Sequence, residues 1–165
     1  MRRILFGASL GLTLAASVTA IAAGSPADNS YGSSLSRVYA AHQSLLALRE
    51  ACDQAAPGEA AANDKAYAAW QSRHRSLLEE LDTRFTLMVK GVSRHEREYL
   101  RNLGKYEGAL IENRNRERDQ LLAQPRAELA LACADFRAQL AGTGLDFRKE
   151  FAEELRVIRL RKLPD

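Results

Sequence analysis

The chain lacks most of the motifs that carry known chemistry. It has no Gly-x-Ser-x-Gly elbow of a serine hydrolase, no glycine-rich phosphate loop, no Cys-x-x-Cys-His haem attachment site and no calcium-binding loop. Some exported all-helical enzymes with one disulfide have an active site lined by Arg, Lys and Glu residues. No such cluster can be placed on this sequence. We therefore expect no catalytic residues and no cofactor, and we favour a non-enzymatic function.

Long apolar runs are confined to the first two dozen residues. Arg2 and Arg3 precede an apolar run over 4–16, and small residues follow. This is the pattern of a Sec-type signal peptide, assigned to 1–22, with cleavage after Ala20, Ala22 or Ala23. An uncleaved amphipathic anchor is the alternative. No later window has the roughly 18 to 20 uncharged residues of a spanning helix. We expect a periplasmic or secreted protein with no membrane span after signal removal.

An excess of charge of one sign is also missing. The 24 Lys and Arg residues nearly balance the 21 Asp and Glu residues, and removal of the signal lowers the formal charge from +3 to about +1. Nucleic-acid binding would favour a one-sided basic excess, so we expect no nucleic acid as a partner. The remaining length is enough for one domain with a core.

Only two cysteines occur, Cys52 and Cys133. An even number in an exported protein favours pairing, so we predict one disulfide. A redox-active pair is the alternative, although such pairs usually have a short Cys-x-x-Cys spacing.

The strongest pattern in the chain is a helical one over 67–88. Large residues recur there at steps of three and four and define one face of a helix: Tyr67, Trp70, His74, Leu77, Leu81, Phe85 and Met88. Charged residues between them, including Arg73, Glu80 and Arg84, are expected to turn towards solvent.

Helical spacing also precedes this segment. Residues 23–34 have no periodicity and are interpreted as a flexible lead-in to a bundle domain over 35–163. A first helix is predicted over about 34–56, ended by Pro57-Gly58. The second begins at Glu59 or is capped by Asn63, and it ends at Gly91.

A third helix is predicted from the capping-box sequence at Ser93, whose partner is Glu96. Its apolar face includes Leu100 and Ile111 and is weak. Gly104 and Gly108 either admit a neighbouring helix or mark a break, and we favour a continuous helix.

Pro125 ends the third helix and opens a fourth, which Gly142-Thr143-Gly144 interrupts before a fifth segment from Phe147 to about Leu163. No strand-like alternation occurs. The fold class is therefore predicted as all-α, a single up-down-up-down helical bundle whose fourth helix is interrupted near Gly142 to Gly144.

The lengths of these helices predict which residues share a level. If the turn at Pro57-Gly58 is the top, Cys52 and Cys133 come out at nearly the same height, which supports the bundle topology. The same count places His42 and His74 level with each other, on faces assigned to the core, in a middle layer that is less tightly filled.

His42 and His74 are the candidate metal ligands, because neutral imidazole binds zinc and copper. Two ligands do not complete a site, and hydrogen-bonded, partly buried histidines are the alternative interpretation. His95 is interpreted as an exposed residue of a helix's first turn.

A mixed-charge segment over 112–120 offers the candidate partner-facing surface. It carries Arg114, Arg116 and Arg118 among acidic residues, which is typical of a solvated helix face, although arginine is enriched at interfaces. We predict an exported protein that acts on an unidentified periplasmic or secreted protein, as an accessory factor, inhibitor, immunity-type protein or chaperone. The alternative is a bundle that binds a small molecule or transition metal near His42 and His74.

Overall fold

A computed structural model of the chain describes residues 30–142 and 144–162. These residues form helices and contain no strand, which confirms the all-α prediction. The helices are α1 (Tyr31–Ala55), α2 (Ala60–Gly91), α3 (Glu96–Leu122), α4 (Arg126–Ala141), α5 (Phe147–Glu150) and α6 (Ala152–Leu160). A short 3-10 turn, Pro57–Glu59, joins α1 to α2. The predicted signal peptide, 1–22, lies outside the described residues, and no helix among those that are described is long and apolar enough to cross a membrane.

Helix α1 begins earlier than predicted. Ser30 is its N-cap, and the Ser30 hydroxyl accepts a hydrogen bond from the backbone amide of Ser33. The Tyr31 hydroxyl donates to the backbone oxygen of Arg84 at 3.3 Å, and Ser34 is buried. The end of the predicted lead-in is therefore part of the first helix, because its serines cap a helix and its tyrosine packs on α2.

Helix α1 lies at the centre of the bundle and packs against α2, α3, α4 and α6. Its contacts with α3 are the most extensive. Ser44 of α1 donates to Glu117 of α3 at 2.7 Å, and Leu121 of α3 packs against the cluster that contains Cys52 near the end of α1. The C-terminal ends of α1 and α3 therefore lie together, so these two helices run in the same direction, as alternate helices of an antiparallel bundle do.

The main core is built by the predicted face of α2 together with α1 and the last three helices. Trp70 is fully buried, and its ring meets the ring of Phe147 edge to face at a centroid distance of 5.0 Å. The core residues from the C-terminal third are Phe136, Leu140, Phe147, Phe151, Leu155 and Ile158. The middle layer predicted to be loosely filled is therefore occupied by aromatic rings.

The predicted disulfide is present. Cys52 of α1 and Cys133 of α4 are bonded, with their Cα atoms 5.5 Å apart. Ala51 and Leu129 complete this second apolar cluster. The level of the two cysteines, counted from helix lengths, is confirmed.

Glu59, one of the two predicted starts of the second helix, is the N-cap of α2, whereas the predicted caps Asn63 and Ser93 were wrong. Asn63 lies inside α2 and is fully buried: it donates to the Asp53 carboxylate at 2.8 Å and accepts from Arg137 at 3.2 Å, which ties α1, α2 and α4 together. At α3 the N-cap is His95, not Ser93, and the Nδ1 atom of His95 accepts from the amide of Glu98 at 3.2 Å. Ser93 instead donates to the backbone oxygen of Val89.

The interruption of the fourth helix is confirmed at Gly142. The chain resumes as α5, which has Asp146 as its N-cap, and turns at Phe151 into α6. Three buried residues along these two helices, Phe147, Leu155 and Ile158, keep the helical spacing that the sequence predicted.

Candidate functional site

The two candidate histidines both stack on the indole ring of Trp70. The centroid of the His42 ring lies 5.9 Å from that of Trp70, and the centroid of the His74 ring lies 4.5 Å from it. Helix α1 supplies His42, while α2 supplies the other two residues one turn apart. The two imidazoles that were predicted to share a level therefore both lie against the same indole ring.

His74 holds the connection between α4 and α5. Its Nδ1 atom lies 3.0 Å from the backbone oxygen of Trp70, so this nitrogen carries the proton. Its Nε2 atom then accepts from the backbone amide of Phe147 at 3.3 Å, and it lies 3.4 Å from the Asp146 carboxylate. His74 therefore caps α5 from outside that helix.

Other residues of α2 bind the same connection. The Trp70 indole N–H donates to the backbone oxygen of Leu145 at 2.8 Å. The Arg73 guanidinium donates to the oxygens of Leu140 and Gly142, where α4 ends. Arg73 is exposed, as predicted, and its guanidinium also serves the last carbonyls of α4, which have no partner within that helix.

A metal at the two histidines would compete with these bonds. Both ring nitrogens of His74 already have partners in the protein, and His42 Nε2 lies 2.9 Å from the Tyr67 hydroxyl. Within residues 30–142 and 144–162, no group of three or more His, Cys, Asp or Glu side chains could hold a metal ion. Zinc or copper binding stays a prediction. The observed contacts of both histidines are hydrogen bonds and ring stacking within the protein.

His42 lines a groove between α1 and α2 with a volume of about 300 Å³. The groove is lined by Tyr39, His42, Gln43, Gln71, Leu78, Leu81 and Asp82. Burial, and then the positive charge of Arg114, lower the pKa of His42 to about 4, so the ring is neutral at pH 7. Burial and the nearby Asp82 carboxylate raise the pKa of Tyr39. The groove thus presents neutral hydrogen-bonding groups and one carboxylate over a leucine floor.

The three candidate arginines do not form one outward surface. Arg114 and Arg118 are only about a quarter exposed and face Glu50 of α1, at 3.4 and 3.7 Å. Arg116 is exposed and lies 3.6 Å from Glu112 of its own helix. Two members of the predicted partner-facing set therefore join α3 to α1, because α3 packs along α1 on the side that carries them.

The outward face of α3 carries two large apolar side chains among its charged residues. Leu100 and Ile111 are 58% and 48% exposed, and Gly104 and Gly108 lie between them at helical spacing. A Cβ atom added at either glycine would meet nothing within 4 Å. The helix is continuous through both glycines, as predicted, but no neighbouring helix among residues 30–142 and 144–162 approaches them.

Sequence reasoning missed this surface because it assigned Leu100 and Ile111 to the buried side. The spacing of the residues along α3 could have identified this surface. Both residues share a face with the two glycines, whereas the half-buried Tyr99, Leu103 and Leu110 lie on another. No residue of α3 is fully buried, so this helix covers α1 with one side and leaves the other open.

No protein-family model matches the chain, and neither a curated protein nor a solved structure matches it.

Proposed function

We propose that the protein is exported and acts by binding another protein through the outward face of α3, and that it is not an enzyme. The observation that carries this proposal is the pair of exposed apolar residues, Leu100 and Ile111, on a helix that has no fully buried residue. Large apolar side chains that remain in water on one helix face are typical of a contact surface.

Export is supported by the disulfide as well as by the N-terminal pattern. Disulfides persist in oxidising compartments such as the periplasm and are rare in the cytosol. The bond between Cys52 and Cys133 joins α1 to α4. The roles that fit such a protein are those of an accessory factor, an inhibitor, an immunity-type protein or a chaperone.

The test is capture of a partner from a periplasmic extract under mild crosslinking. The double variant Leu100→Glu, Ile111→Glu places two charges on the outward face of α3 and is expected to abolish capture. The matched control is Leu131→Glu on α4, because Leu131 is 69% exposed and lies on a different helix. The proposal fails if nothing specific is recovered, or if both variants capture the same protein equally well.

The groove beside His42 supports a second candidate function, binding of a small molecule. Leu78 and Leu81 offer an apolar floor, Gln43 and Gln71 offer amide groups, and Asp82 offers a carboxylate. These groups would suit a neutral or cationic molecule with hydrogen-bonding groups on a short apolar body. If the groove binds such a molecule, adding the molecule should raise the melting temperature of the wild-type protein. His42→Ala should remove this rise.

The metal alternative is tested in the same protein. Zinc or copper binding should be lost in both His42→Ala and His74→Ala if the two rings form a site. Binding that is absent, or indifferent to both changes, ends this alternative.

A further inference from the structure

Two glycines in the middle of α3 pack against no other part of the described chain. Gly104 and Gly108 are exposed, and a Cβ atom at either position would meet no atom within 4 Å. Glycine in a helix interior weakens the helix relative to alanine. If a helix from outside the chain packs closely at this point, it needs positions without side chains, and both glycines supply them.

The side chains around these glycines form a flat, apolar strip. Leu100, Gly104, Gly108 and Ile111 follow one another at steps of four, four and three, so they share a face of the 27-residue helix. The two apolar side chains flank a floor without side chains. A second helix can lie close to such a floor and contact the leucine and isoleucine on either side.

The charges beside the strip are opposite in its two halves. Arg101 is exposed beside the first half and Glu112 beside the second, on the same side of the strip. Arg101 is 3.5 Å from Glu98 and Glu112 is 3.6 Å from Arg116, but the side chains of Arg101 and Glu112 are 73% and 76% exposed. Such exposed ion pairs are weak and leave both groups open to another partner.

A two-fold axis at the level of residue 106 makes this surface complementary to itself. In an antiparallel pair of α3 helices, Gly104 of one copy meets Gly108 of the other, and Leu100 meets Ile111. Arg101 and Glu112 lie on the same side of the strip, so Arg101 of one copy then faces Glu112 of the other. In a parallel pair, Arg101 would lie level with position 101 of the second copy and could not reach Glu112.

We propose that the outward face of α3 binds α3 of a second copy of this chain, antiparallel and with Gly104 and Gly108 at the crossing. This rests on the proposed function, because it assigns a partner to the same face. Two-fold pairing of identical surfaces is the commonest form of association between identical chains.

The expected dimer is weak and reversible. A standard interface buries about 800 Å² on each partner, which is more than one crossing of two helices supplies. We expect a dissociation constant on the order of tens of micromolar. Sedimentation velocity of the oxidised full chain, over about 1 µM to 1 mM, should show a monomer that becomes a dimer.

Filling the strip should separate the two copies. Gly104→Leu and Gly108→Leu are each expected to weaken dimerisation about tenfold or more, because the helices can no longer approach closely. The matched control is Ala109→Leu, which adds a similar side chain to an exposed position on another face of α3. Circular dichroism establishes that each variant keeps its helices.

Charge reversal tests the antiparallel arrangement. Arg101→Glu and Glu112→Arg should each weaken self-association, since each places like charges across the two-fold axis. In a mixture of the two variants, both cross-copy pairs again join opposite charges, so a heterodimer about as stable as the wild-type dimer is expected. A parallel or unrelated contact would not be restored by mixing.

A wild-type chain that stays monomeric at about 1 mM overturns this inference. A dimer that Gly104→Leu leaves intact, or that the mixture fails to restore, overturns it as well. The proposed function can hold even if this inference fails. If the chain is monomeric while the charges at Leu100 and Ile111 abolish capture of another protein, binding by α3 stands and the second copy does not.

Discussion

The Nε2 atom of His74 accepts a hydrogen bond from the backbone amide of Phe147, 73 residues further along the chain. His74 is 3% exposed and Phe147 is 2% exposed, so water does not offer this amide an alternative partner. The bond fixes where α5 begins, after the break at Gly142. The last third of the chain is therefore positioned by a side chain of α2.

Replacing His74 with alanine should destabilise the protein by about 2–4 kcal/mol, because it leaves a buried amide unpaired and removes a ring from the core. Urea unfolding followed by tryptophan fluorescence measures the change. His74→Gln is the control, since its side-chain oxygen can accept the same bond, and it should recover part of the loss. Equal losses in the two variants would contradict the role given to this bond.

His42 should make the stability fall with pH below neutrality. Its folded pKa of about 4 lies below the ordinary value of 6.5, because burial and then Arg114 disfavour the charged ring. The unfolded chain therefore binds more protons between these values, and stability is present above about pH 6.5 and is lost as the pH falls towards 4. Since the ring is partly exposed, we expect a loss of roughly 1–3 kcal/mol.

The check is urea unfolding of wild-type protein and His42→Gln over this pH range. The variant should lose the slope between about pH 4.5 and 6.5, while the fall below this window, where carboxylates titrate, remains. An unchanged slope would show that the His42 ring is not held neutral by its surroundings.

Arg84 should be essential for the end of α6. Its guanidinium is buried and donates to the backbone oxygens of Ile158 and Arg161, both at 2.9 Å, and it pairs with Glu80 at 2.9 Å. Arg84→Met removes the donors but leaves Glu80 its second partner, Arg159. We expect a loss of about 2–4 kcal/mol and faster amide exchange in α6, measured by hydrogen exchange. Exchange that speeds up equally in all helices would contradict a local cap.

Arg84 also shows why part of the fold was missed from sequence. Position 84 follows Leu77 and Leu81 at helical spacing, so the pattern placed it on the inward face, but its charge led to an outward assignment. A buried arginine needs acceptors, and these are backbone oxygens more than 70 residues away in the chain. Nothing in the local pattern of α2 shows where another helix will end.

Local patterns did predict what depends on spacing alone. The positions of the helices, the break at Gly142 and the level of Cys52 with Cys133 follow from periodicity and helix length. These patterns do not predict which helix α3 packs against, because a short turn after α2 allows more than one direction of packing. Since α3 packs along α1, Arg114 and Arg118 are directed at Glu50, and the candidate binding face moves to Leu100 and Ile111.

The disulfide should contribute a large part of the stability. Cys52 and Cys133 are 81 residues apart, and closing a loop of this length lowers the entropy of the unfolded chain by an amount worth about 4–5 kcal/mol. The double variant Cys52→Ser, Cys133→Ser should unfold at a correspondingly lower urea concentration. Wild-type protein unfolded in a thiol reductant is the control, and it should match the variant; agreement of the variant with oxidised protein instead would contradict the estimate.

Gly104→Ala separates the stability of the helix from its proposed contact. Within one copy, no atom of the described residues lies within 4 Å of the added carbon, so the substitution should stabilise the protein by about 0.5–1 kcal/mol through helix propensity. The same methyl group at a helix crossing would hold the two copies apart and weaken their association. Urea unfolding at concentrations below dimerisation gives the first quantity, and sedimentation gives the second. Ala109→Gly, also exposed on α3, is the reverse control for propensity: it should destabilise the chain and leave association unchanged. A Gly104→Ala variant that gains stability and loses none of its association would mean that the glycine has no role at an interface.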